Sequence, residues 1–172
     1  MDERDLQHGP VCCAADYGCL QPVAGKCLTE TDPTTDKHLR VDVKAFLDKF
    51  SGWASLRPDI EGVALVGSYA RDVADEESDV DLIILTKRSE RYLFDPAWAA
   101  AFGEVTERKV EDWGRVKSLQ VFYKDGLEVE YGFALPDWAD IPVDTGTHRV
   151  VRGGMKILFD PRGLLTRLQQ ED

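Results

Sequence analysis

No apolar run in this chain of 172 residues approaches the roughly 20 residues that a membrane-spanning helix requires. The first residues are polar and acidic, and no apolar segment typical of a secretory signal follows them. We therefore expect no membrane partner and no export, and the cytoplasm is the expected location.

Positive charge is also scarce. The chain has 21 Lys and Arg residues against 32 Asp and Glu residues, which gives a formal net charge of -11. Proteins that bind nucleic acid through its phosphate backbone need clustered Lys and Arg, so nucleic acid is not expected as a partner. A small cationic substrate fits this charge better.

The chain also lacks the cysteine spacing of a zinc site. Its four cysteines form no C-x-x-C pair and have no histidine at zinc-finger spacing, so we expect reduced thiols. All four lie within the first 27 residues: Cys12, Cys13, Cys19 and Cys27. Residues 1–37 mix Pro, Gly and polar residues without periodicity, which predicts a flexible or loosely ordered N-terminal extension. The folded domain is predicted over residues 38–172.

The hydrophobic pattern of that domain predicts alternating helices and strands. Apolar residues at helical spacing predict a helix over 38–51, and short apolar runs predict strands over 60–67 and 80–85. Ser68 is predicted to cap a short helix over about 69–74. Further elements are predicted at 95–102 (helix), 105–110 (strand), 119–123 and 127–133 (hairpin), 155–159 (strand) and 161–170 (helix). This order predicts an α+β (mixed α/β) domain with one mixed sheet flanked by helices.

Two aspartates at the start of the second predicted strand are the strongest chemical signal. Asp79 and Asp81 are two residues apart, so their side chains project from the same face of a strand. The apolar run 82–85 anchors that strand in the core. Two adjacent carboxylates repel each other unless a cation lies between them, and Mg²⁺ is the hard cation that such oxygen ligands favour.

A glycine and a serine follow the first predicted strand. Where a strand ends in Gly67-Ser68 and a helix begins, backbone N–H groups are available for phosphate oxygens. The Ser68 hydroxyl adds a donor, and Arg71 lies in the first turn of the predicted helix. A phosphate site beside metal carboxylates implies a nucleoside triphosphate with its metal.

Glu130 is the candidate for a third carboxylate. Glu128 and Glu130 share one face of the predicted strand 127–133, and the opposite face is apolar. Both acids point to solvent if that face is exposed. If the strand lies beside the Asp79–Asp81 strand, Glu130 completes a triad that binds metal or accepts a proton. Glu128 is interpreted as a solvated acid or as an acid that supports the metal ligands, and not as a metal ligand itself.

Other residues carry weaker signals. His148, Arg149 and Arg152 are either a substrate or phosphate patch or ordinary surface charge. The four tryptophans are interpreted first as aromatic residues of the core or its rim, and Trp113 or Trp138 is the alternative candidate to stack on a base or line an acceptor pocket.

The spacing of these residues resembles that of the nucleotidyltransferase superfamily, which includes DNA polymerase β, small antibiotic nucleotidyltransferases and minimal nucleotidyltransferase antitoxins. The family pattern is Gly-Ser, about ten residues, Asp-x-Asp, and a later acid in an apolar strand. Here Gly67-Ser68 is followed by residues 69–78, Asp79-Val80-Asp81 and later Val129-Glu130-Tyr131. The chain departs from the family in having Glu130 where many members have Asp, and Asp72 where glycine often follows the arginine.

The resemblance implies an enzyme that depends on two Mg²⁺ ions. It would transfer a nucleoside monophosphate, AMP from ATP or the equivalent from another nucleoside triphosphate, to a hydroxyl of a small molecule or protein, releasing pyrophosphate. Asp79, Asp81 and Glu130 are the implied catalytic and metal-binding residues, and Gly67, Ser68 and Arg71 the nucleotide-binding ones. Two alternatives remain open: an antitoxin-like minimal nucleotidyltransferase that acts on or binds a toxin partner, and a nucleotide-binding domain without turnover.

Overall fold

The computed structural model of the protein describes residues 42–75 and 77–171. The helices are α1 (Val43–Ser55), α2 (Gly67–Ala70), α3 (Ser89–Phe94), α4 (Thr145–Arg152) and α5 (Leu164–Glu171), with 3₁₀ helices at Pro96–Ala101 and Pro136–Ala139. The strands are β1 (Ile60–Val66), β2 (Val80–Thr86), β3 (Val105–Asp112), β4 (Val116–Tyr123), β5 (Glu128–Ala134) and β6 (Met155–Phe159).

The six strands form one mixed sheet in the order β3-β4-β5-β2-β1-β6. Strands β2 and β5 run parallel, and the other neighbouring strands are antiparallel. β5 thus lies directly beside β2 although more than forty residues separate them in sequence. The predicted fold class, one mixed sheet flanked by helices, is confirmed.

Both faces of the sheet are covered, because successive side chains of each strand point to opposite sides. On one face, α1 and the first 3₁₀ helix contribute aromatic rings, such as Phe50 stacked on Trp53 at 5.3 Å and Trp98 edge-on to Tyr131 at 4.8 Å. On the other face, α4 and α5 pack against the sheet through the buried Val151, Leu165 and Leu168. Burying a side chain of this size is worth about 1.5–3 kcal/mol.

Several predicted elements are confirmed with small shifts. The hairpin turns at Asp125-Gly126, where Gly126 has φ +89°. Helix α1 begins at Val43, where Asp42 caps its N-terminus by accepting from the Ala45 N–H at 3.1 Å. It continues past Gly52 to Ser55, and Ala54 is buried in its last turn. The closing helix begins at Leu164, not Pro161.

The predicted helix over 69–74 is wrong in extent and in its cap. Helix α2 is a single turn, and no side chain among the described residues caps it. Gly67, with φ +71°, turns the chain out of β1, so Ser68 lies inside the first turn instead of before it. Asp72, with φ +60°, ends the helical path.

Helices α3 and α4 were not predicted. Gly146 and the β-branched Thr and Val residues give α4 poor intrinsic helix propensity. Its position is fixed instead by Asp144, whose carboxylate accepts from the N–H groups of Gly146 at 2.8 Å and Thr147 at 3.1 Å.

The predicted extension 1–37 and its four cysteines lie outside the described residues. Within the described part, no helix is both long and apolar enough to cross a membrane.

Candidate active site

Three strands bring the candidate residues together at one end of the sheet. In the register of these strands, Asp81 on β2 pairs with Val66 on β1 and with Glu130 on β5. Asp81 therefore lies between the Gly67-Ser68 turn on one side and the third carboxylate on the other. The alternative in which Glu130 merely faces solvent, remote from Asp81, does not hold.

The carboxylates of Asp79, Asp81 and Glu130 converge. Each contributes an oxygen that lies within 4.8 Å of the oxygens of the other two, and all three side chains are half-buried. Burial and, after it, the negative charges of Asp79 and Glu130 together raise the pKa of Asp81 to about 7. At neutral pH the cluster thus holds more negative charge than its surroundings stabilise.

The donor set suits a hard divalent cation. Mg²⁺ binds oxygen at roughly 2.0–2.1 Å, so two oxygens on opposite sides of one ion are about 4.2 Å apart. The three carboxylates need only small side-chain movements to reach that spacing. A cation among them would also relieve the repulsion that raises the pKa of Asp81.

Gly67 allows the Asp81 carboxylate to approach the backbone. A Cβ atom at position 67 would overlap Oδ2 of Asp81, and the φ of +71° also favours glycine. Position 67 therefore requires glycine for two independent reasons, and the first of them concerns the position of Asp81.

Arg71 binds the loop before β6. Its Nη1 donates to the Gly153 carbonyl at 2.5 Å, and its side chain lies over Gly154, where a Cβ would be 2.6 Å from Arg71 Cγ. Its positive charge lowers the pKa of Asp81, against the larger effects that raise it. Lys156 on β6 donates to Asp72 Oδ1 at 2.5 Å, so a second cation links the segment after α2 to this edge strand.

A sequence profile of the nucleotidyltransferase domain family matches residues 45–135, more than half of the chain, and this range contains Gly67, Asp79, Asp81 and Glu130. The chain belongs to the nucleotidyltransferase domain family. Among curated proteins, no sequence matches it.

Some solved structures resemble part of this nucleotidyltransferase domain. An aminoglycoside 6-adenyltransferase from Bacillus subtilis is 18% identical with a TM-score of 0.44, over 55% of this chain and 35% of the other. The Cid1 poly(U) polymerase is 21% identical with a TM-score of 0.40, over 57% and 31%. A cytoplasmic RNA terminal U-transferase is 21% identical with a TM-score of 0.41, over 60% and 32%.

The chain spans about a third of the length of each of these structures. Identities of this size concern the fold alone. The expectation that nucleic acid is not a partner stays a prediction.

The structure separates Glu128 from the triad of the nucleotidyltransferase domain. Glu128 Oε1 accepts from Gln120 Nε2 at 2.5 Å on the neighbouring strand β4. It lies on the same face as Glu130 and contributes to the raised pKa of Asp81, but less than Asp79 and Glu130 do.

The two tryptophans differ in position. Trp138 is buried in the core between the sheet and the helices α4 and α5. Trp113 is exposed and lines a cavity of about 180 Å³ that Asp81 and Glu130 also line. The structure therefore brings Trp113, and not Trp138, to the site.

The other walls of this cavity were missed in the sequence. Val116 and Gly132 come from β4 and β5, and Val150 comes from α4. Gly132 within an apolar strand is a signal of close approach, but it does not indicate which group approaches. Val150 gave no signal because α4 was not predicted. His148, Arg149 and Arg152 lie on the same helix, His148 half-buried and the two arginines exposed.

Proposed function

We propose that the chain is a Mg²⁺-dependent nucleotidyltransferase that transfers a nucleoside monophosphate, with ATP as the donor, to a hydroxyl of a small molecule or protein. One observation carries the proposal: the Asp79, Asp81 and Glu130 carboxylates converge beside the Gly67-Ser68 turn. The family match supports the reaction class, and the geometry supports the roles of individual residues.

Asp79, Asp81 and Glu130 would hold the metal, and we propose two Mg²⁺ ions as the full complement. When bound, the cations supply neutralisation of the phosphate charge and lower the pKa of the attacking hydroxyl. Ser68 and the neighbouring backbone amides would hold the β- and γ-phosphates. The guanidinium of Arg71 has five N–H donors, so it has donors left for a phosphate oxygen while Nη1 binds Gly153.

Glu130 would accept the proton of the acceptor hydroxyl. The hydroxyl oxygen then attacks the α-phosphorus, the bond from that phosphorus to the bridging oxygen of pyrophosphate breaks, and pyrophosphate leaves with the electron pair. Such an in-line displacement depends on positioning and charge neutralisation, which the rigid strands β2 and β5 provide.

A thermal unfolding experiment tests the nucleotide site. A ligand at a hundred times its Kd stabilises the native state by about 2.7 kcal/mol, so Mg-ATP should raise the Tm by several degrees. The double variant Asp79→Asn with Asp81→Asn should lose this shift. An undiminished shift in the double variant would place the nucleotide elsewhere.

The matched control is Asp48→Asn with Glu90→Gln. It also removes two negative charges, but from α1 and α3, which pack on the sheet face opposite the triad. We expect this control to keep the full Mg-ATP shift. A shift that falls equally in both double variants would show a general effect of net charge instead of a specific site.

A further inference from the structure

The cavity beside the triad has a mainly apolar wall. Its volume is about 180 Å³, and its polar groups are the Asp81 and Glu130 carboxylates. We define the ring pocket by five of the other lining residues, Ile83, Trp113, Val116, Gly132 and Val150; the remaining two, Val66 and Leu82, are also apolar. We infer that the ring pocket binds a six-membered ring of the acceptor, and that the acceptor is a neutral or cationic ring compound whose hydroxyl meets Glu130. This inference rests on the proposed function and names the acceptor class for the same site.

Hydrogen bonds fix the position of Trp113 in the wall of the cavity. The side chain is 65% exposed, yet its Nε1 donates to the buried Ser118 Oγ at 3.2 Å. Its backbone N–H donates to the Val116 carbonyl at 2.8 Å, and the next turn residue, Gly114, donates to Asp112 Oδ1 at 2.8 Å. These bonds fix an exposed indole against the cavity, and an aromatic side chain with a fixed polar end is typical of ligand contacts.

Strands β2, β4 and β5 form a second part of the pocket wall. A Cβ atom at position 132 would lie 3.0 Å from Val116 Cγ1 and 3.1 Å from Ile83 Cδ1. Glycine therefore keeps the wall of the pocket flat between two apolar side chains. Val150 from α4 completes the apolar lining. A flat space with apolar walls fits the face of a ring better than a flexible polar chain.

The ring pocket also has a defined position relative to the proposed nucleotide site. Across the sheet, Gly67 follows β1, Asp81 is on β2, Glu130 is on β5, and Val116 is on β4. The proposed phosphate site is on the Gly67 side of Asp81. Val66 of β1 lines the cavity next to that site, whereas Trp113 and Val116 lie on the far side of Glu130, where we place the acceptor.

The volume of the cavity and the negative charge around it restrict the class of acceptor further. A dry cavity of about 150 Å³ is large enough for benzene, so one six-membered ring fits in 180 Å³. Asp79 and Glu128 add negative charge next to the two carboxylates of the cavity. An anionic ring is repelled there, and a neutral or cationic one is accepted.

Three phenols with the same ring test this inference: tyramine is a cation, tyrosol is neutral and 4-hydroxyphenylacetate is an anion at pH 7.5. Their binding is measured by ligand-observed NMR in the presence of Mg-ATP. We expect tyramine and tyrosol to bind at least tenfold more tightly than the anion. Trp113→Ala should weaken both by at least tenfold, whereas Trp113→Phe, which keeps an aromatic wall, should stay within about threefold of wild type.

Two further variants separate the ring pocket from general surface effects. Val150→Phe places extra volume in the pocket and should abolish phenol binding while Mg-ATP still raises the Tm. Phe94→Ala removes another exposed aromatic, 84% accessible at the end of α3, and should change neither. The inference is overturned if Trp113→Ala and Val150→Phe leave phenol binding intact.

The failure of this inference is distinguishable from the failure of the proposed function. If Trp113→Ala weakens Mg-ATP binding and leaves phenol binding unchanged, the pocket holds the nucleobase and the acceptor assignment is wrong. If acyclic alcohols release pyrophosphate as fast as tyramine and tyrosol do, nucleotidyl transfer stands and the ring requirement fails. If wild-type protein shows no Mg-ATP shift at all, the proposed function itself fails, and the acceptor assignment with it.

Discussion

Asp81 is the residue on which the site depends most. It lies between Val66 on β1 and Glu130 on β5, and burial together with the neighbouring charges raises its pKa to about 7. The unfolded chain has an ordinary aspartate pKa near 3.9. Between these two values the native state binds more protons than the unfolded state, so this group makes the free energy of unfolding fall as pH rises from about 4 to 7.

This effect on stability can be measured with metal-free protein in a buffer that contains a chelator. Asp81→Asn removes the buried charge, so the variant should be more stable than wild type at pH 8, by on the order of 2 kcal/mol. At pH 5 the two proteins should differ much less, because Asp81 is then protonated in the native state. Denaturant unfolding at both pH values measures the difference. A variant that is less stable than wild type at pH 8 would contradict the described crowding of the three carboxylates.

At the scale of the elements, the β1–α2 turn fixes the distance between the backbone and Asp81. Gly67→Ala should displace the Asp81 carboxylate, because a Cβ would overlap Oδ2 and the φ of +71° strains any other residue. We expect a loss of at least 1 kcal/mol in the free energy of unfolding and the loss of the Mg-ATP shift in Tm. Thermal and denaturant unfolding give both quantities.

Gly52→Ala provides the control for this variant. Gly52 lies within helix α1, and a Cβ there would meet no other described atom within 4 Å. The same chemical change should therefore stabilise the protein by about 0.4–1 kcal/mol and leave the Mg-ATP shift intact. If both variants behave alike, the special role of Gly67 is wrong.

The elements also show how far the sequence alone could predict the site. The period of two along β2 correctly placed Asp79 and Asp81 on one face, since local geometry decides this. The position of Glu130 depended on which strand pairs with β2, a contact between residues distant in sequence that no local pattern specifies. Ser68 matched the residue type of an N-cap, but the positive φ of Gly67 moved the start of the helix.

Helix α4 shows why part of the site could not be predicted. Its sequence has low helix propensity, and its N-terminus is fixed by Asp144, which also pairs with Arg115 at 2.6 Å, a residue near the start of β4. Val150 reaches the ring pocket only because this tertiary contact and the packing of Val151 hold the helix there. Sequence patterns describe one segment at a time, and the ring pocket is made by four: β2, β4 with the turn before it, β5 and α4.

At the scale of the whole molecule, residues 42–171 contain both hydrophobic layers of the sheet and every group of the candidate site. The family match begins at residue 45. We therefore expect a protein that lacks residues 1–35 to fold and to keep the Mg-ATP shift in Tm. Unfolding of the truncated protein, measured by circular dichroism with and without Mg-ATP, checks this. A truncated chain that does not fold would contradict this expectation. Stoichiometric zinc bound by the four cysteines of the full chain would also contradict it.

The central claim is that this acidic molecule transfers nucleotides and does not merely bind them, and Glu130 distinguishes the two. Glu130→Gln keeps the size of the side chain but removes its charge and basicity. Glu128→Gln makes the same change two residues away on the same face, outside the triad, and is the matched control.

The decisive measurement is pyrophosphate release from Mg-ATP with an acceptor found by screening ring-bearing alcohols, other polyols and candidate protein partners. We predict that Glu130→Gln lowers turnover by about a hundredfold or more, the usual scale for a general base, while Mg-ATP binding changes little. Glu128→Gln should stay within a few-fold of wild type. Equal turnover in Glu130→Gln and wild type would remove Glu130 from the mechanism. Tight Mg-ATP binding by wild type without pyrophosphate release for any acceptor would contradict the claim of catalysis itself.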